Sequence, residues 1–153
     1  MKASDILAAL ERRHPRQSWA LFPELRVGTG YRKTWGGSSK YEPWEQRIDL
    51  WTMCYYPSKS LEKVAYEIKV SRFDFKHELE NPLKRKAAMD LSHKFFFAAP
   101  VGLILPEQIP DGCGLIEVRE DFTCRIAKRA PWRECDTPPW RFVASLARRV
   151  QNS

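Results

Sequence analysis

Residues Glu62 to Val70 form the cleanest pattern in the chain. Val64, Tyr66, Ile68 and Val70 fall on one side, and Lys63, Ala65, Glu67 and Lys69 on the other. A period of two predicts a β-strand. Arg47 to Tyr55 predicts a strand before it, and Pro57 to Ser60 a turn short enough for an antiparallel hairpin. Near the start, Ile6, Leu7 and Leu10 follow helical spacing over Asp5 to Arg13, with Ser4 as cap and Pro15 as stop. A short helical turn is expected over Trp19 to Leu25, interrupted by Pro23. Gly28, Gly30, Gly36, Gly37, Ser38 and Ser39 then predict a mobile surface loop, which also carries Tyr31, Trp35, Lys40 and Tyr41. Further on, Asn81 and Pro82 open a helix running to about Ser92. Strands are expected over Lys94 to Ala99, Leu115 to Arg119 and, at an edge, Cys124 to Lys128. Pro106 to Pro110 reads as a turn or short helix, and a last helix runs from Pro138 or Pro139 to about Val150. No internal repeat is present. The order fits one α/β domain over residues 1–153, a mixed central sheet flanked by helices.

Composition narrows the class. The 153 residues are 43% hydrophobic and 12% aromatic, enough to build a core and unlike a disordered chain. A net charge of +7 favours a polyanionic partner. Its distribution says more. Residues 1–48 hold nine basic and five acidic residues, and residues 125–153 hold seven and two. The middle, 49–124, holds ten and twelve and is slightly acidic. Basic ends around an acidic centre suit a metal-dependent enzyme acting on a polyanion, and an ordinary solvated surface reads the same way.

Several classes drop out. The start lacks the long apolar region of a secretory signal. Phe95 to Leu105, the longest apolar run, contains Pro100 and is far short of the ~20 residues of a membrane span. A cytoplasmic protein without membrane contact is expected. Cys54, Cys113, Cys124 and Cys135 form no CxxC pair and read as reduced thiols in or near the core. Gly28-Thr29-Gly30 lacks the remaining glycine and the preceding strand of a dinucleotide fingerprint.

The chemistry concentrates on the predicted hairpin. Glu67 and Lys69 are two apart on a strand and project from one face, while Ile68 points to the core. Antiparallel pairing brings Asp49 beside Glu67. Adjacent carboxylates repel unless a cation joins them, and oxygen ligands suit Mg²⁺ or Mn²⁺. Such an ion activates water and stabilises charge on a phosphate. Lys69 can orient or deprotonate the water, or neutralise the transition state.

Asp49 followed by Glu67-Ile68-Lys69 after a hairpin resembles the PD-(D/E)xK nuclease superfamily, the restriction-endonuclease-like fold, in its compact repair-type or phage-type branches. The resemblance covers roughly Trp19 to Val118. It implies a core of a helix, three antiparallel strands, a helix and a further strand. It implies Asp49 and Glu67 as metal ligands, Lys69 as the catalytic lysine, and the Ile68 carbonyl as a further ligand. Glu24 matches the acidic residue that many members carry on the first helix. Ile48 stands where the family pattern has proline. The implied activity is Mg²⁺-dependent cleavage of DNA. A homodimer is implied where both strands of a duplex are cut, but not for nicking. The alternative is a non-catalytic module on the same fold that binds nucleic acid or a protein partner.

Nucleic-acid contacts are expected from Arg32, Lys33 and Trp35 in the glycine-rich segment and from Lys84 and Lys86 on the helix after the motif, beside Arg85. Arg141, Arg148 and Arg149 read equally as phosphate contacts or a solvated helix face. Asp74 either caps a turn or adds a carboxylate. His14, His77 and His93 lack ligand spacing and read as surface or capping residues.

Overall fold

The computed structural model describes residues 1–33 and 41–153, with side chains outside 28–45. Helix α1 (Ala3–Arg12) buries Ile6, Ala9 and Leu10, one stripe of a 3.6-residue period. Two long strands follow, β1 (Trp19–Lys33) and β2 (Tyr41–Cys54), then β3 (Lys63–Ile68). Helices α2 (Arg72–Leu79) and α3 (Lys86–Asp90) lead to β4 (Lys94–Pro100), β5 (Gly114–Val118) and β6 (Cys124–Lys128), and α4 (Trp140–Gln151) closes the chain. The six strands form one sheet in sequence order. β1, β2 and β3 are antiparallel, β4 and β5 run parallel to β3, and β6 returns antiparallel at the edge. The fold is thus the expected α/β architecture, a mixed sheet flanked by helices.

Helices cover both faces. Leu50, Val64, Tyr66, Phe96, Ala98 and Ile116 pack with α1 on one side. Trp51, Ala65, Phe95, Phe97 and Leu115 pack on the other with Phe75 of α2, Ala88 of α3 and Phe142 of α4. A strand buried on both faces has no polar face to show, which explains the unbroken apolar run of β4.

Four expectations are corrected. Trp19–Leu25 is strand, not helix. Pro23 sits on an edge strand, where a missing N–H breaks no ladder bond on the outer side. In the glycine-rich segment the described residues are strand rather than loop: β1 runs through Gly28 and Gly30 to Lys33, and β2 begins at Tyr41. Residues 34–40, with Trp35 and Lys40, lie outside the described residues. The helix after the motif is α2 rather than 82–92, and Ser71 caps it by accepting from the Asp74 N–H at 3.1 Å. Pro82–Arg85 is instead a single 3₁₀ turn ahead of α3, and Asn81 makes no side-chain cap. All four cysteines are free thiols, Cys54 and Cys113 buried. Among the described residues no helix is long and apolar enough to cross a membrane.

Candidate active site

Strand pairing assembles the site. Leu50 lies opposite Tyr66 across β2 and β3, so one step further Asp49 faces Glu67. On the other side Pro23 pairs Leu50 and Leu25 pairs Ile48, so Glu24 faces Asp49. Three carboxylates from three neighbouring strands stand in one row. All three line a single cleft of about 460 Å³, with Ile68, Lys69, Arg47, Lys84, Asp74, His77 and the first turns of α1.

The row is made possible by an interruption in the sheet. Phe22 and Trp51 face the α4 side, and so do Leu25 and Ile48, three residues away on each strand. Strict alternation would put them on opposite faces. The alternation therefore slips by one residue at the Glu24–Asp49 pair. Glu24 absorbs it with φ 48°, a left-handed conformation that costs a non-glycine residue about 1 kcal/mol or more. Arg149 of α4 holds the kink by donating to the carbonyls of both Pro23 and Glu24. That contact makes Arg149 part of the structure rather than a free phosphate contact.

Charge is tightly arranged. Asp49 Oδ2 accepts from the Ile68 N–H at 2.8 Å, and Arg47 approaches Oδ1 at 3.8 Å. Burial pushes the Asp49 carboxyl up against the pull of that N–H and of Arg47, Lys69 and Lys84. Glu67 is pushed up to about 7, first by burial and then by the Asp49 charge beside it. Lys69 Nζ lies 3.2 Å from Glu67 Oε1. Burial works to lower its pKa, but the facing carboxylates outweigh it and raise it.

One residue was missed from the sequence. Glu78 on α2 is 1% exposed, and its Oε1 lies 3.1 Å from Lys69 Nζ. The near-buried Arg85 reaches Glu78 Oε2 at 3.7 Å and donates to its carbonyl at 3.3 Å, and Lys84 lies 3.7 Å from Oε1. Arg85 is therefore a largely buried counter-ion of Glu78.

The remaining expected residues separate. Lys84 lines the cleft and is half exposed. Lys86 pairs with Asp90 at 2.7 Å on α3 and is not a cleft residue. Arg32 and Lys33 lie on β1, with side chains outside the described set. His77 lines the cleft. His14 and His93 are buried instead of on the surface: His14 meets Tyr66, and His93 stacks on Trp132. Among the described residues no three His, Cys, Asp or Glu side chains are gathered as a ready metal cage. Asp49 and Glu67 face one another across β2 and β3 in the cleft, and Glu24 lines the same cleft.

No family model matches the chain, and no curated protein does. Among solved structures it is similar to the SPO1766 protein of unknown function from Silicibacter pomeroyi. The match has a TM-score of 0.59 at 21% identity and covers 99% of this chain and 90% of that one. The likeness is one of fold.

Proposed function

We propose that the chain is a metal-dependent nuclease that hydrolyses phosphodiester bonds in DNA. The observation that carries this reading is the convergence of Asp49 and Glu67 in one cleft, each pushed toward protonation by burial, with the Lys69 ammonium beside them. Further support comes from the order of elements: α1, three antiparallel strands, α2, and a parallel strand β4. That is the order implied by the PD-(D/E)xK resemblance.

The donor set fits a hard divalent cation. Mg²⁺ binds through one or two carboxylates with water and substrate phosphate and needs no complete protein cage. Asp49 and Glu67 would hold it, with the Ile68 carbonyl and Glu24 in reach of the cleft. When bound, such an ion neutralises the phosphate and makes water a better nucleophile at neutral pH. The chain's own residues do the rest. The Ile68 N–H fixes the Asp49 carboxylate, so that only one of its oxygens faces the cleft freely. Lys69 supplies a preorganised positive charge where negative charge develops on the phosphate. Arg47 and Lys84 flank the cleft and would bind the flanking backbone. Four free thiols suit a reducing, cytoplasmic setting.

The test is cleavage of single-stranded, duplex and branched DNA and of RNA with Mg²⁺ or Mn²⁺. Divalent-dependent cutting of DNA that vanishes in Lys69→Ala and Glu67→Ala, with folding retained, supports the reading. Intact substrates in every class overturn it. Salt-dependent DNA binding with no heat of Mn²⁺ binding would point instead to a binding-only module.

A further inference from the structure

Among the described residues Glu78 is the least exposed charged side chain; it lies behind the cleft lining, against Lys69, and nothing in the nuclease motif calls for it. It reaches Lys69 from α2, across the gap between helix and sheet. Lys69 Nζ thus lies between two carboxylates, 3.2 Å from Glu67 and 3.1 Å from Glu78. A lysine side chain has four rotatable bonds, and one ion pair leaves most of that freedom. Two anchors from different elements fix the ammonium at a point. We propose that Glu78 is a positioning residue, which fixes Lys69 over the cleft so that its charge meets the substrate phosphate.

The surroundings match that role. A buried carboxylate with one partner is costly. Here Arg85 lies on the far oxygen and on the Glu78 carbonyl, and its guanidinium sits 5.7 Å over the Phe97 ring. Arg85 therefore holds Glu78 from behind while Oε1 points toward Lys69. Oε1 meets Lys69 Nζ at 3.1 Å, with the half-exposed Lys84 further off at 3.7 Å. Glu67 alone would be a poor anchor, because it is also the carboxylate that would bind the cation. A second anchor that does not bind the cation keeps Lys69 in place when Glu67 turns to it. The catalytic consequence rests on the nuclease reading, while the contact itself does not.

The test joins two readouts. In ¹⁵N-labelled protein, a lysine ammonium held by two carboxylates exchanges slowly and gives a resolved NH₃⁺ cross-peak, assigned by its loss in Lys69→Arg. The peak is expected in the wild type, to survive in Glu67→Gln, where the buried Glu78 remains, and to vanish in Glu78→Gln, where the remaining Glu67 is open to water (side chain 16% exposed against 1%). Glu78→Asp, which keeps the charge but shortens the reach, is expected to weaken it. In cleavage assays Glu78→Gln should lower kcat by about 10–100-fold with KM within about twofold, the scale of lost supporting contacts. A missing wild-type peak, a peak lost in Glu67→Gln or kept in Glu78→Gln, or an unchanged kcat overturns the proposal. A peak that behaves as expected in a wild type that cleaves nothing leaves Glu78 as the anchor of Lys69 and removes the nuclease reading. If Glu78→Gln fails to fold, the wild-type and Glu67→Gln spectra still decide.

Discussion

Tyr66 and Glu67 are neighbours on β3 and point to opposite faces of the sheet. Both are polar and both lie largely inside the protein. On the α1 side, the Tyr66 hydroxyl and His14 Nε2 share a hydrogen bond of 2.6 Å. Burial lowers His14 to about 4 and raises Tyr66 to about 12, so the pair is neutral across the physiological range. The hydroxyl and Nε2 satisfy each other, the ring carries no charge, and only His14 Nδ1 is left without a hydrogen-bond partner. Glu67 has no such resolution. It faces a second carboxylate, and the cations nearby are shared with Asp49 and Glu78. One face closes a polar pair with a proton arrangement, and the other holds charge that is incompletely matched. The second arrangement is what a cation and a phosphate can complete, and perturbed carboxylates in a cleft are candidates for function on that ground.

The largest expected effect separates the two faces by activity. Lys69→Ala or Glu67→Ala should lower metal-dependent cleavage by about 10²–10⁴-fold. Tyr66→Phe should leave the turnover of folded enzyme near wild type and cost about 1–3 kcal/mol of stability, because it strands His14. Steady-state cleavage and urea unfolding on the same preparations check both. A Tyr66→Phe enzyme as inactive as Lys69→Ala would erase the distinction.

The next effect separates them by pH. Folded His14 titrates at about 4 and the unfolded chain at 6.5, so between these values the unfolded chain binds more protons. The neutral imidazole's stability is complete above pH 6.5 and is lost as pH falls toward 4, about 3 kcal/mol in all. Glu67 has the opposite sign. Its folded value is about 7 against 4.5 unfolded, so the folded state binds more protons there. Stability from Glu67 therefore falls as pH rises from 4.5 to 7. In urea titrations between pH 4.5 and 7, His14→Gln should leave the Glu67 slope, stability falling with pH. Glu67→Gln should leave the His14 slope, stability rising with pH. Equal profiles for the two variants would contradict the assignment. Mn²⁺ should raise the wild-type unfolding midpoint at pH 8, above the Glu67 value of about 7, and should do so far less in Glu67→Gln.

Much of this cleft could be read in the chain, and the reasons for the rest are physical. Asp49, Glu67 and Lys69 were legible because a strand period of two and a short turn fix both face and neighbour. Glu24 entered as a site candidate only through the family resemblance, and on a helix, whereas the fold puts it on a strand that lines the cleft. Pro23 reads as a breaker, and only the finished sheet reveals that β1 is an edge that tolerates it. The slip at Glu24 and Asp49 leaves no trace in composition. Helix α2 was hidden because Phe73 and Phe75 flank Asp74 in a strand-like alternation, while the fold buries Phe75 and leaves Phe73 in solvent. With α2 unseen, Glu78 was one acid among many. His14 was hidden for the reason that a lone histidine carries no period, and its burial depends on Tyr66 arriving 52 residues later.

The smallest expected effect asks how far the charged face extends. Lys84 and Lys86 stand two residues apart in a basic run that the sequence treats alike. Lys84 lines the cleft, is half exposed and lies 3.7 Å from Glu78. Lys86 is turned to Asp90 at 2.7 Å and lies outside the cleft. A lysine that neutralises a phosphate releases its counterion, so its loss reduces the slope of log Kd against log salt by about 1. Lys84→Ala should show that reduction, measured by anisotropy of labelled DNA in Ca²⁺ from low to moderate salt. Lys86→Ala should keep the wild-type slope, since its charge is already matched within the protein and an exposed pair is worth about 0–1 kcal/mol. If Lys86→Ala lowers the slope and Lys84→Ala does not, the bound strand runs over α3 rather than along the cleft. The incompletely matched charge beside Glu67 would then serve something other than the DNA backbone.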